Sequence, residues 1–192
     1  MDKEQFWTLL EPVHAEAEGF CRRLAGSRDD GDDLYQESLL TAMRKFSTIR
    51  EINSFRPWLF RIIVNSFKNS NKQPWWRRRV EMAPELIEAE PGNDPRGQLD
   101  SARWLERAMA ALSAEDRAMI VLFEIEGRPI SELASIFGKP EGTLKARLFR
   151  ARKKMRECIE RYLPRTENKN SASEADYGEA KIALQRSNPA DK

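Results

Sequence analysis

The sequence is poor in the residues from which most active sites and metal centres are built. It holds 2 cysteines and 1 histidine among 192 residues. Cys21 and Cys158 have no metal-ligand spacing, and each falls among apolar positions of helical period, which reads as reduced core cysteine of a cytosolic protein. His14 is isolated in the first helical stretch and reads as an ordinary helix residue. No phosphate-binding glycine loop is present and no nucleophile has an evident base, so the expectation is a protein without catalytic activity or cofactor. No run approaches the ~18 apolar residues of a membrane span. The opening MDKEQFW lacks a basic segment followed by an apolar one, so no secretory signal is expected. Any link to a membrane would run through a partner.

Neither sign of charge dominates: 33 basic against 31 acidic residues give a net charge of +2. The distribution is more informative. Between Ile63 and Val80 stand 5 basic residues (Lys68, Lys72, Arg77, Arg78, Arg79) and no acid. From Glu81 to Ala102 there are 6 acids against Arg96 alone, and from Gly138 to Arg156 there are 8 basic residues against Glu141. Two basic blocks around an acidic connector suggest two contacts on one polyanion. The bland alternative is a series of salt-bridged, solvated helix faces.

What is abundant is apolar residues at helical spacing. Phe6, Leu9, Leu10, Val13, Ala17, Phe20, Cys21 and Leu24 share one stripe, with Pro12 placed to bend or divide it. A turn rich in Gly and Asp follows, and its late aspartates are expected to cap a helix over about Asp33–Phe46. A third helix is expected over about Phe55–Ser70, with Pro57 in its first turn. There Phe55, Leu59, Ile62, Ile63 and Ser66 face inward, leaving Trp58, Phe60 and Phe67 as surplus aromatic surface. Pro74, Pro84, Pro91 and Pro95 then mark residues 74–98 as a flexible linker. A second unit follows: a helix from Leu99 to Leu112, one capped by Ser113 and ending near Glu126, a short one from Pro129 to Phe137, and a long basic one from Pro140 to Tyr162. The fold class is therefore all-α: two small helical domains, 1–73 and 99–163, then a polar tail, 164–192, expected to be disordered apart from a short helix at Tyr177–Leu184.

The most informative stretch is Ile130–Arg156. A short helix, a tight turn at Gly138 and a second helix describe a helix-turn-helix. Leu133, Ala134, Phe137, Leu144 and Leu148 can fix the crossing of the two helices. Glu141, Thr143, Lys145, Ala146, Arg147 and Arg150 then lie away from that core or along its edge, where a helix can enter a DNA major groove. In the first unit, aromatics alternate with Arg56, Arg61, Lys68 and Lys72. Aromatic rings beside cations suit single-stranded nucleic acid, with bases stacked and backbone held; an aromatic helix core beneath a basic surface explains the same pattern equally well. Trp75 and Trp76 fit either an interface or packing on the linker. Asp30, Asp32, Asp33 and Glu37 lack the glycine and terminal acid of a calcium loop, so no metal is expected; capping and a charged docking surface account for them.

DDLYQESLLTAMRKF, FRPWLFRIIVNSFKN and LSAEDRAMIVLFEIEGRPISELASIFGKPEGTLKARLFRARKKM, in that order, resemble the signature regions of extracytoplasmic-function sigma factors of the sigma-70 family. The resemblance covers about residues 5–72 and 100–160. It implies an alternative sigma factor for transcription initiation, whose partners are core RNA polymerase, through the clamp helices and flap region of its β and β′ subunits, and promoter DNA. By that resemblance Asp32, Asp33, Leu34, Gln36 and Glu37 meet the polymerase clamp helices. Arg56, Trp58, Phe60, Arg61, Asn65, Lys68 and Asn69 melt and recognise the single-stranded −10 element. Glu141, Gly142, Thr143, Lys145, Arg147 and Arg150 read the duplex −35 element. The resemblance also implies a cytoplasmic protein under an anti-sigma factor, through which it can be held at the inner membrane without inserting. The rival expectations are a helix-turn-helix regulator acting without polymerase and a sigma-like protein that only binds an anti-sigma factor. One departure is Pro129, which stands where such proteins often carry a Ser or Thr helix cap.

Overall fold

A computed structural model of the chain describes residues 3–49, 51–70 and 104–162. The expected linker, Trp75, Trp76, the tail and the short helix expected in it lie outside the described residues. The described residues up to Arg161 form one compact unit, and among the described residues every regular element is helical.

Pro12 has the effect its ring dictates. It sits in a 3-10 turn, Glu11–Val13, that separates α1 (Lys3–Leu10) from α2 (His14–Ala25). Phe6, Leu10, Val13, Ala17, Phe20, Cys21 and Leu24 are buried along the expected stripe. Helix α3 spans Arg28–Lys45, so it begins earlier than its apolar stripe suggested. The cap is Ser27, whose Oγ accepts a hydrogen bond from the Asp30 amide at 3.2 Å, and not one of the later aspartates. Asp29 and Asp30 instead occupy the first turn, where negative charge meets the free amides of the helix start. Glycine at position 31 lets α3 approach α2: a Cβ there would collide with the Arg22 Cα and lie 2.8 Å from the Arg22 amide nitrogen.

Helix α4 (Phe55–Ser70) is the centre of the molecule. Phe55, Leu59, Ile62, Ile63 and Ser66 are buried as expected, against α2 and α3. Phe60, Val64 and Phe67 are buried as well, which corrects the reading of Phe60 and Phe67 as surplus surface. Their cover comes from the second half of the chain.

That half begins with a helix described over 104–110, α5. Ser113 then caps α6 (Ala114–Ile120), its Oγ accepting from the Asp116 amide at 3.1 Å. The regular helix ends sooner than expected, because Val121–Ile125 widen into a π-helical turn closed by Glu126 N–H donating to the Val121 carbonyl at 3.0 Å. Helix α7 (Ile130–Phe137) starts at Pro129 without a side-chain cap, as its sequence requires. Gly138, at φ +62°, makes the left-handed turn into α8 (Glu141–Tyr162). Leu133, Ile136, Leu144, Leu148 and Ala151 lock α7 across α8, with Ala134 and Phe137 partly buried beside them. α6 and α7 both pack on α4, and the buried side chains form one continuous core.

Candidate nucleic-acid and protein interfaces

Three surfaces carry the residues singled out by the sequence. On α3 the helical period brings Asp33, Gln36, Glu37 and Leu40 to one exposed stripe. Leu40 is 61% exposed, an apolar side chain in water beside two acids. Asp32 stands at the edge, its Oδ1 accepting from Arg22 Nε at 2.6 Å. Leu34 is different: it is buried in the core and cannot touch a partner. The acid cluster is thus a surface feature, while its leucine is an anchor. Behind the stripe, His14 Nδ1 and the Tyr35 hydroxyl are hydrogen-bonded at 2.5 Å, so His14 ties α2 to α3 and is more than an ordinary helix residue. Burial raises the Tyr35 hydroxyl above its ordinary range, just as it raises the Cys21 thiol.

On α4, Arg61, Asn65, Lys68 and Asn69 form one exposed stripe, with Arg56 and Trp58 half-buried at its start. Phe60 is not on it. Its ring stacks on Phe20, with centroids 5.3 Å apart and planes 29° from parallel, and it is 1% exposed. A base cannot reach it, so the single-strand stacking reading fails for Phe60 on steric grounds.

On the helix-turn-helix, Glu141, Gly142, Thr143, Lys145 and Arg150 are exposed, and nothing lies within 4 Å of a Cβ placed on Gly142, so a backbone can approach the start of α8. Arg147 is held elsewhere. Its Nη2 and Nε donate to Asp116 Oδ1 at 2.7 and 3.0 Å, and its Nη1 pairs with Glu115 at 2.9 Å. These bonds fasten α8 to the start of α6 and correct the expectation that Arg147 points towards DNA.

Glu115 also accepts from Lys139 Nζ at 2.8 Å. Burial alone would raise its carboxyl, but the hydrogen bonds from Lys139 and Arg147 prevail and hold it below its ordinary range. A carboxyl depressed in the folded state contributes stability above its unfolded value, 4.5, and loses it as pH falls through the folded value. The thermal stability of the wild type over Glu115→Gln is therefore expected to be constant near neutrality and to shrink as pH drops below 4.5. A gap that persists in strong acid contradicts the pairing.

A further group of charges was not legible as a site, because its members lie far apart in sequence. Arg56 Nη2 donates to Glu16 at 2.7 Å, and its Nη1 lies 3.4 Å from Glu132. Arg128 pairs with the same Glu16 and, at 3.6 Å, with Glu126. Arg23 Nη2 donates to Glu126 at 2.6 Å. Burial raises the Glu126 carboxyl, against the pull of Arg23 and Arg56. Arg61 Nε and Nη2 donate to the carbonyls of Ile136 and Ser135, at 2.8 and 2.5 Å. Arg117 is buried with its guanidinium over the Phe67 ring, 5.8 Å from the centroid. The described residues hold no cluster of metal-ligating side chains, and none of their helices is long and apolar enough to cross a membrane.

Comparison with known proteins gives the arrangement its context. The family description "Sigma-70 region 2" matches residues 9–79, and "Sigma-70, region 4" matches residues 102–155. The chain is 29% identical over 154 residues to the ECF RNA polymerase sigma factor SigM of Mycobacterium tuberculosis, covering 80% of this chain and 76% of the relative. It is 30% identical over 171 residues to the ECF RNA polymerase sigma-E factor of Haemophilus influenzae, covering 83% and 89%. It is also 30% identical over 140 residues to the ECF RNA polymerase sigma factor EcfG of Rhodopseudomonas palustris, covering 71% and 75%. Among solved structures, the sigma factor RpoE of Bartonella quintana, in a co-crystal with the anti-sigma factor NepR, superposes with a TM-score of 0.54. It is 26% identical, and the match covers 81% of this chain and 96% of that one.

Proposed function

Because the chain belongs to the ECF RNA polymerase sigma factors, we propose that it docks on core polymerase through α3, reads a duplex −35 element through α8 and captures unpaired −10 bases with α4. The observation that carries this reading is the order of the surfaces along one chain: an acidic and apolar stripe, then a basic and polar stripe, then a helix-turn-helix. A repressor needs only the last of them. The functional division falls into a region 2 module, 1–73, and a region 4 module, 99–163, joined by residues 74–98.

Each surface has chemistry suited to its partner. Asp33, Gln36, Glu37 and Leu40, with Asp32 at their edge, offer acceptors around an apolar centre to a basic helical surface on the polymerase. Lys68 holds a phosphate of a melted strand, and Arg56 and Arg61 join it once released from Glu16, Glu132 and the α7 carbonyls, while Trp58, Asn65 and Asn69 meet base faces and edges. Lys145 and Arg150 contact the upstream duplex, and Gly142 and Thr143 let the backbone amides of the α8 start approach a phosphate. Arg147 sets the tilt of α8 from beneath. Nucleotide addition belongs to the polymerase, so this chain is a positioning subunit and not an enzyme. It works in the cytoplasm, with an anti-sigma factor as a partner, as the Bartonella RpoE has in NepR.

Substituting both Lys145 and Arg150 with alanine separates the surfaces. Each good contact of this kind is worth about 1–3 kcal/mol, so run-off transcription from a −35-dependent promoter should fall by at least about tenfold. Two lost phosphate contacts would also lower the salt slope of promoter binding by up to about 2. Co-elution with core polymerase should be unchanged. A parallel loss of core binding contradicts the assignment.

A further inference from the structure

We propose that Glu115 and Asp116, side by side at the start of α6, are positioning residues for promoter reading: through Arg147 and Lys139 they set the roll of α8, and so decide which base pairs Lys145 and Arg150 can meet. This rests on the functional reading above and adds to it the part that aims the reading helix.

Each oxygen of the two carboxylates has its own partner. Asp116 Oδ2 accepts from the Ser113 hydroxyl at 2.6 Å, and its Oδ1 accepts from Arg147 Nη2 and Nε at 2.7 and 3.0 Å. Glu115 Oε1 accepts from Lys139 Nζ at 2.8 Å, and its Oε2 lies 2.9 Å from Arg147 Nη1. Ser113 is also the cap of α6, so the chain of bonds ends on an element the core holds fixed: Ala118, Met119, Ile120, Val121 and Leu122 are all buried. Lys139 stands in the turn between α7 and α8, and Arg147 in the second turn of α8. The reading helix is therefore tied to the start of α6 twice, at its entry and again beside the residues that face DNA.

The apolar contacts beneath α8 do not fix its roll as closely. Leu144, Leu148 and Ala151 are buried under it, but apolar burial has no direction of its own. A planar guanidinium shared between two carboxylates does. On a helix of radius roughly 5–6 Å, a roll of about 10° moves the surface sideways by about 1 Å. That exceeds the spread of about 0.5 Å within which a hydrogen bond is well made. Lys145 and Arg150 are exposed on either side of Arg147 in the sequence, so a roll at Arg147 reaches both together. The ion pairs are partly exposed, where such pairs add little to stability; what they supply is direction. The Glu115 carboxyl lies below its ordinary range, which keeps the clamp charged at neutral pH.

The test reads base-pair preference and not yield. Core polymerase is assembled with the full wild-type chain, with the double variant Glu115→Gln and Asp116→Asn, or with Arg147→Lys, which keeps the charge and loses the fork. Each base pair of a −35 element is replaced in turn, and run-off transcription relative to the parent promoter gives the discrimination at that position. The wild type should discriminate by about tenfold at its contacted base pairs. Both variants should fall to about twofold at two or more positions together, because the whole helix has rolled. Lys145→Ala, which removes one contact, should lose discrimination at its own position alone. Variants that lower every transcript by one factor and keep the wild-type pattern of preferences show a merely structural role and overturn the proposal. Loss confined to one base pair in Arg147→Lys marks a direct contact and overturns it as well. Should the wild type itself show no preference at any −35 position, the functional reading fails; if the wild type discriminates and the variants match it, only the clamp does.

Discussion

Replacing Glu37 with lysine should weaken binding to core polymerase by about thirtyfold or more, while leaving the fold intact. Glu37 is exposed in the middle of the α3 stripe, one turn from Asp33 and close to Leu40, and its Oε2 accepts a hydrogen bond from the Ser70 hydroxyl at 3.5 Å. Nothing in the core depends on it, so the effect on stability should stay within about 0.5 kcal/mol. At a docking surface, by contrast, a reversed charge loses its own bonds and strands the partner's. Loss of a desolvated charge pair costs about 2–5 kcal/mol. Titration of labelled chain with core polymerase, beside a thermal melt, measures both quantities. Unchanged affinity would remove α3 from the polymerase interface.

Phe60→Ala should have the opposite signature. The ring is 1% exposed and stacked on Phe20, so its truncation leaves a cavity costing about 3–5 kcal/mol. For a chain of this size the melting temperature should then fall by on the order of 10 °C. Trp58→Ala, at a half-buried position against Phe55, should move it much less. If Phe60 were a base-stacking residue, its loss would spare stability and affect only promoter melting. A wild-type melting curve for Phe60→Ala would restore that role.

These two residues also mark how far the sequence can be read. The apolar period set the helices, and the stripes of α2 and α4 lie where it put them. Turn chemistry located Gly138 and the Ser113 cap, because both depend on neighbours a few residues away. The start of α3 was misjudged because four aspartates competed with Ser27 for the role of cap, and only geometry decides which oxygen meets a free amide. The π-helical turn was invisible, since it depends on packing at Val121 and Leu122. Of the residues assigned by resemblance, Gln36, Glu37, Lys145 and Arg150 lie in solvent, whereas Leu34 and Phe60 are buried and Arg147 is paired with Glu115 and Asp116; a helical period gives the position along the helix but not what packs on each face. The ion pairs around Glu16, Glu126 and Glu132 join residues with no local signature at all.

Transcript 5′-end mapping on genomic DNA, with purified core polymerase and with this chain added or withheld, tests the central claim most directly. Discrete start sites that arise only in its presence, each preceded by shared −10 and −35 elements, are the expected result. Start sites that are identical with and without the chain, despite its stable association with duplex DNA, would mean that it does not direct initiation.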